Sequence, residues 1–201
     1  MNYFTINKRA KKTYIEKRSK FVAYVFKIED YDDFKNSLDI IKKYHKKANH
    51  HCWAYVYGDK GEVERSSDDG EPRGVAGKNI LNQLKSKKLT YSACVVVRYF
   101  GGTKLGKPGM IKSYKNATLL AIKKSKIIRK EIYIDYNIEI PYTYHGKVIQ
   151  LAKRNNISIR FQDLSYVSRF RVEVPLELVE YIDEALKSLM ANFTRILPTN
   201  Q

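Results

Sequence analysis

Tyr91-Ser92-Ala93-Cys94-Val95-Val96-Val97-Arg98-Tyr99-Phe100-Gly101-Gly102-Thr103-Lys104-Leu105-Gly106-Lys107-Pro108-Gly109 is the stretch whose reading decides the fold. Residues 91–100 have a continuous apolar centre, the pattern of a strand buried on both faces in the middle of a sheet. The strand ends at Gly101-Gly102. From Gly109 to Lys124, Met110, Tyr114, Ala117, Thr118 and Ala121 recur at helical spacing, while Lys112, Lys115 and Lys123 fall on the other side. Strand, glycine-rich loop and helix therefore follow one another directly, with a basic stripe on the exposed helix face.

Working outward, Thr13 to Ile28 reads as one or two strands, and Asp30 caps a helix whose buried stripe is Phe34, Leu38 and Ile41. Residues 51–58 and 61–67 read as strands joined by a hairpin-type turn at Asp59-Lys60-Gly61. A loop (68–74) precedes a helix from Ala76 to Lys87, and 126–135 returns as a strand. The remainder is a β-α-β-β-α-β series: a strand at 136–140, a helix at 142–155, strands at 157–163 and 166–174, a helix at 176–191 and a strand at 193–198. Such an order predicts the split, ferredoxin-like sheet with both helices on one face. The expected fold class is α+β, with domains at 1–135 and 136–201.

The 201 residues include 43% hydrophobic and 12% aromatic side chains, enough to build a core, which excludes a disordered basic protein and a small disulfide scaffold. No apolar run approaches the roughly 20 residues of a membrane span, and residues 1–12 hold no apolar block of secretory length. With only Cys52 and Cys94 available for pairing, the reading expects a soluble, cytoplasmic chain with free thiols and no membrane partner. The formal charge is +17, from 38 basic and 21 acidic residues. Residues 1–135 hold 30 basic and 14 acidic side chains, whereas 136–201 hold 8 and 7. Such a field favours a polyanionic partner, although 27 of the 38 cations are lysines of the kind any solvated surface carries.

Seven of the 10 glycines lie between Gly70 and Gly109, in two knots. The first is Ser66-Ser67-Asp68-Asp69-Gly70-Glu71-Pro72-Arg73-Gly74-Val75-Ala76-Gly77. Its three carboxylates suit a turn in which aspartates accept backbone N–H bonds and cap the next helix; a hard-cation site and an acid/base pair are the competing readings. The second knot, Arg98 to Gly109, has the strand, glycine loop and helix N-terminus of an anion site, but the spacing of neither a Walker nor a dinucleotide loop. A tight topological crossover is its competing reading. Tyr99 or Phe100 could stack on a base, or pack in the core. His50-His51-Cys52 lacks the second Cys/His cluster that a tetrahedral metal site requires, so a core cysteine with hydrogen-bonded histidines is the simpler reading. Cys52 as a nucleophile is disfavoured by its apolar strand.

The segments Ser19-Lys20-Phe21-Val22-Ala23, His50-His51-Cys52-Trp53-Ala54-Tyr55, Ser67-Asp68-Asp69-Gly70-Glu71-Pro72, Gly74-Val75-Ala76-Gly77 and Val97 to Gly106 together resemble the YigZ/IMPACT family, over about 110 residues. The resemblance implies an N-terminal domain similar to domain 2 of ribosomal protein S5 and domain IV of elongation factor G. It implies a ferredoxin-like second domain similar to that factor's domain V. It also implies translation-linked regulation: eukaryotic members bind an activator of the amino-acid-starvation eIF2α kinase, bacterial members have been suggested to bind RNA, and no catalytic residues are established. Three positions and one short stretch depart from the pattern. His51 stands for Asn, Arg73 for Ser, Val97 for Thr, and Lys107-Pro108-Gly109 replaces a glycine-rich stretch.

The combined expectation is a non-enzymatic regulatory protein that binds RNA, the ribosome or a translation-associated protein, with neither cofactor nor metal. Its binding face comprises Asp68, Asp69, Gly70, Glu71 and Arg73 of the first knot, and Arg98, Tyr99, Gly101, Gly102, Lys104, Gly106 and Lys107 of the second. Lys112 and Lys115 extend it along the helix. A protein-interaction regulator without RNA binding and a cation-dependent hydrolase using Asp68, Asp69 or Glu71 are the alternatives.

Overall fold

The computed structural model describes residues 2–163 and 166–196. The chain divides into two compact units, Asn2–Lys130 and a second that begins at Glu131, in a mixed α+β architecture.

In the first unit, β2 (Ala10–Glu16), β3 (Ser19–Lys27), β4 (His50–Tyr57), β5 (Val63–Ser67) and β6 (Ser92–Tyr99) form an antiparallel sheet in the order β2-β3-β6-β4-β5. The apolar strand of the opening stretch is the central one. Helices cover both of its faces. Alternate residues Phe21, Ala23, Ala54, Cys94 and Val96 share a core with Ile80 and Leu84 of α2 (Gly77–Ser86) and with Tyr114 and Ala117 of α3 (Gly106–Lys124). The intervening residues Val22, Tyr55, Val95 and Val97 pack with Phe34, Leu38 and Ile41 of α1 (Tyr31–Tyr44). Asp30 caps α1, its carboxylate accepting from Asp33 N–H at 2.9 Å.

Three local features differ from the sequence reading. Asn2–Lys8 forms β1, paired with β7 (Lys126–Glu131) in a two-stranded sheet that no periodicity announced. The strand expected over 126–135 breaks before Tyr133, where β8 (Tyr133–Pro141) begins. Helix α3 starts at Gly106 rather than Gly109, because Pro108 sits in the first turn, where a missing N–H costs no intrahelical bond.

In the second unit, β8, β9 (Ser158–Asp163), β10 (Val167–Pro175) and β11 (Asn192–Ile196) form an antiparallel sheet ordered β11-β8-β10-β9. Ile134, Tyr136, Ile138, Phe170 and Val172 face one core with Val148 of α4 (His145–Arg154) and Ile182 and Leu186 of α5 (Val179–Ser188). Both helices thus lie on one face. The other carries the ion pairs Arg169–Glu139 (2.8 Å) and Arg171–Asp135 (2.9 Å). Of the strand expected at 193–198, residues 197–198 lie outside the described residues.

Candidate functional site

The two glycine-rich knots meet at one end of the five-stranded sheet, on the α2/α3 face. Register fixes the arrangement. Arg98, at the end of β6, lies opposite Phe21 of β3 and opposite His50 of β4, and all three point to that face. Arg98 is buried, its side chain 8% exposed, and its Nη1 donates to Glu71 Oε1 at 2.6 Å. Tyr114 of α3 donates its hydroxyl to the same oxygen at 2.7 Å. The Arg98 guanidinium lies over the Phe21 ring at 5.5 Å and the Phe100 ring at 5.8 Å. Its Nε is buried without a hydrogen-bond partner.

The carboxylates of the first knot point three ways. Asp68 accepts from Gly74 N–H (2.8 Å) through Oδ2 and from Ala76 and Gly77 N–H (both 2.9 Å) through Oδ1, closing the loop onto the start of α2. Asp69, with φ +42°, takes the His51 N–H on Oδ2 at 2.6 Å, and its own carbonyl is 2.8 Å from His50 Nδ1. Glu71 goes inward to Arg98. The loop is therefore the turn-and-cap arrangement. Among the described residues no group of three or more His, Cys, Asp or Glu side chains is placed to hold a metal ion. Cys52 Sγ lies 3.0 Å from the Asp68 carbonyl oxygen and 3.3 Å from the Tyr114 hydroxyl, and burial pushes its thiol pKa well up. A thiol held protonated is a packing group rather than a nucleophile.

Between the knots lies a pocket of about 440 Å³. Arg98 and Glu71 line its buried side, Phe100, Leu105 and Met110 supply apolar wall, and Lys104 and Lys107 stand at its solvent side. Asn49, His50, Pro72 and Gly106 complete it. Gly101 fits here for a steric reason: a Cβ on it would come within 2.1 Å of the Arg18 backbone carbon, in the turn between β2 and β3. Helix α3 has no side-chain cap and no acidic residue in its first turn, so its positive end is uncompensated.

Of the residues expected at the site, Glu71, Arg98, Lys104, Gly106 and Lys107 line the pocket, while Asp68, Asp69, Gly70, Arg73, Gly101, Gly102, Lys112 and Lys115 do not. Asp68 and Asp69 support it as loop architecture. Lys112 and Lys115 are exposed further along α3. Tyr99 belongs to the opposite face of the sheet, where its hydroxyl is 2.6 Å from His45 Nδ1. Sequence reasoning missed Asn49, His50, Pro72, Leu105 and Met110 as lining residues. Asn49 carried a signal only in three dimensions: its N–H donates to the Arg98 carbonyl (2.9 Å), and its Oδ1 accepts from Phe100 N–H (2.8 Å).

A two-unit α+β chain with a glycine-built, cation-rimmed pocket at its sheet end is the class these features define. Residues 17–122 match the Impact N-terminal domain. The chain is 31% identical over 147 residues to the IMPACT family member YvyE of Bacillus subtilis (strain 168), covering 73% of this chain and 68% of that one. It is 35% identical over 151 residues to an IMPACT family member of Haemophilus influenzae, covering 73% and 72% of the two chains. With YigZ of Escherichia coli K12 it shares 34% over 128 residues, 63% of each chain. The chain belongs to the IMPACT family. A crystal structure described as that of a hypothetical protein superposes with a TM-score of 0.67 at 24% identity, covering 100% of this chain and 98% of the other, which shows a shared fold.

Proposed function

We propose that this chain is a non-enzymatic, translation-linked regulatory protein of the cytoplasm that binds RNA or the ribosome through the basic face at the start of α3. The observation that carries the reading is the convergence of Lys104, Lys107 and the uncapped α3 N-terminus at one pocket, with Lys112 and Lys115 exposed beyond it, in the unit that holds all of the net positive charge. Lysines placed this way neutralise phosphates and release counterions, which holds a polyanion without reading its sequence. Assigning residues 1–135 to a domain similar to ribosomal protein S5 domain 2, and 136–201 to a ferredoxin-like domain, accords with this role. The strand order β11-β8-β10-β9, with both helices on one face, supports the second assignment.

The test is RNA affinity at two salt concentrations for the native chain and a Lys104→Ala, Lys112→Ala, Lys115→Ala variant. The expected result is steep weakening with salt in the native chain and a shallower dependence in the variant. Unchanged binding by the variant removes the site assignment. A partner retained in pull-downs after nuclease treatment, with no affinity for RNA, replaces this reading with a protein-interaction regulator whose partner is acidic.

A further inference from the structure

We infer that the pocket between the two knots is a site for one nucleotide, its phosphate at the α3 N-terminus and its base against Phe100. The inference deepens the RNA-binding reading by naming the unit that the pocket would accept.

Three independent features select that chemistry. The first is the anion position. The N–H groups of Gly106 and Lys107 open α3 and have no intrahelical acceptor, and Lys104 and Lys107 stand beside them at the pocket's solvent side. The second is Arg98. Its side chain is more than nine-tenths buried and lines the pocket, and among the described residues its side-chain hydrogen bonds run from Nη1 alone, to Glu71 and to Met110 Sδ at 3.4 Å, which leaves Nη2 as an unused donor. A buried guanidinium left with unused donors is costly unless a ligand with acceptors completes it. The third is the flat apolar wall. Phe100 is 48% exposed, with one approach to its ring occupied by the Arg98 guanidinium, and Leu105 and Met110 continue the apolar surface. Exposed aromatics beside a cationic groove are where bases stack.

A ligand matched to this pocket has an anionic end, a planar body, and both donors and acceptors on its edge. Glu71 serves the donors. Its Oε1 is taken by Arg98 and Tyr114, and among the described residues no donor reaches Oε2. A volume of about 440 Å³ lies within the range of small-ligand pockets and suits a single nucleotide. Inorganic phosphate alone would leave the apolar wall unused, and an aliphatic carboxylate would leave Arg98 and Glu71 without edge partners.

The experiment is titration calorimetry of the full chain with the four ribonucleoside 5′-monophosphates, ribose 5-phosphate and inorganic phosphate. The variants are Phe100→Ala and Lys104→Ala/Lys107→Ala, all at exposed positions, with Lys187→Ala on α5 as control. One nucleotide should bind per chain. Each pocket variant, and removal of the base from the ligand, should weaken binding by about tenfold, with the control unchanged. Ribose 5-phosphate binding as tightly as the nucleotides, or no mononucleotide binding at all, overturns the inference, even if RNA binding through the lysines survives. A second arm separates the sources of the nucleotide. Displacement of a single-stranded 5′-phosphorylated oligoribonucleotide by the mononucleotide assigns the pocket to a nucleotide of RNA. Mononucleotide binding by a chain with no RNA affinity upholds the pocket for a free nucleotide and removes the RNA reading alone.

Discussion

Asp68, Glu71 and Arg98 each do a job that their neighbours in sequence do not. Asp68 closes three backbone N–H groups at the start of α2, so Asp68→Ala should cost about 2 kcal/mol in denaturant unfolding, with Asp68→Asn retaining part of the loss. Glu71 and Arg98 form a buried pair whose single truncation strands a charge. Glu71→Ala alone should destabilise by roughly 3–5 kcal/mol, whereas the Glu71→Leu/Arg98→Met double variant should recover much of the loss. A double variant as unstable as the single one would show that packing around Tyr114 dominates instead.

His45 adds a pH dependence. Buried between the Tyr24 and Tyr99 hydroxyls, each at 2.6 Å from a ring nitrogen, its pKa is lowered from 6.5 by desolvation first and by Lys11 next. The folded state therefore disfavours its charged form while the unfolded chain does not. Stability should fall as pH drops below 6.5, levelling once the pH passes below the folded pKa, because the unfolded state takes up the proton first. His51, lowered by desolvation although Asp69 opposes the shift, adds a slope of the same sign. Thermal melts between pH 7.5 and pH 5 check this, and a His45→Gln variant should show the shallower dependence.

At the scale of elements, the crossover from β6 to α3 is set by close approach. The turn from β2 to β3 passes through Lys17 and Arg18, both with positive φ, and lies so near the end of β6 that only a glycine fits at 101. Gly101 N–H also donates to Ser19 Oγ at 3.1 Å, tying loop to hairpin. Gly101→Ala should force the two apart, costing about 1–3 kcal/mol, and should weaken ligand binding at the pocket beyond what stability loss explains. Comparing denaturant midpoints with affinity measured well below the transition separates the two effects. Helix α3 then works in two registers: Met110, Tyr114, Ala117 and Ala121 build the core, while Lys112, Lys115 and Lys123 face solvent.

For the whole molecule, charge follows the division into units. Through Lys130 the sequence carries 30 basic and 12 acidic side chains, or +18, and from Glu131 onward it carries 8 and 9, or −1. The polyanion affinity of the chain should therefore reside in the first unit. On single-stranded RNA each lysine contact contributes about 0.7 to the slope of log affinity against log salt, so loss of Lys104, Lys112 and Lys115 should reduce that slope by about 2. Arg169 and Arg171, on the open sheet face of the second unit, are paired with carboxylates, and their replacement by Ala should leave the slope unchanged. A slope insensitive to the three lysines but lowered by the two arginines would move the binding face to the second unit.

The amino-acid order by itself determined the central strand, the amphipathic helices, the β-α-β-β-α-β tail and the family, because each is written in short-range periodicity or in contiguous motifs. It also determined that Asp30 caps α1, a contact spanning only three residues. The tertiary structure alone decided β1, whose partner β7 lies more than a hundred residues away, and the tight hairpin at Lys17-Arg18, which carries no glycine to announce it. It also divided the expected site residues. Tyr99 and Arg98 are adjacent in sequence, yet strand alternation sends one to His45 on the α1 face and the other to Glu71 beneath the pocket. A pocket assembled from β4, β6, α3 and two loops is a matter of register across the sheet, and register is set by long-range packing that no local pattern records.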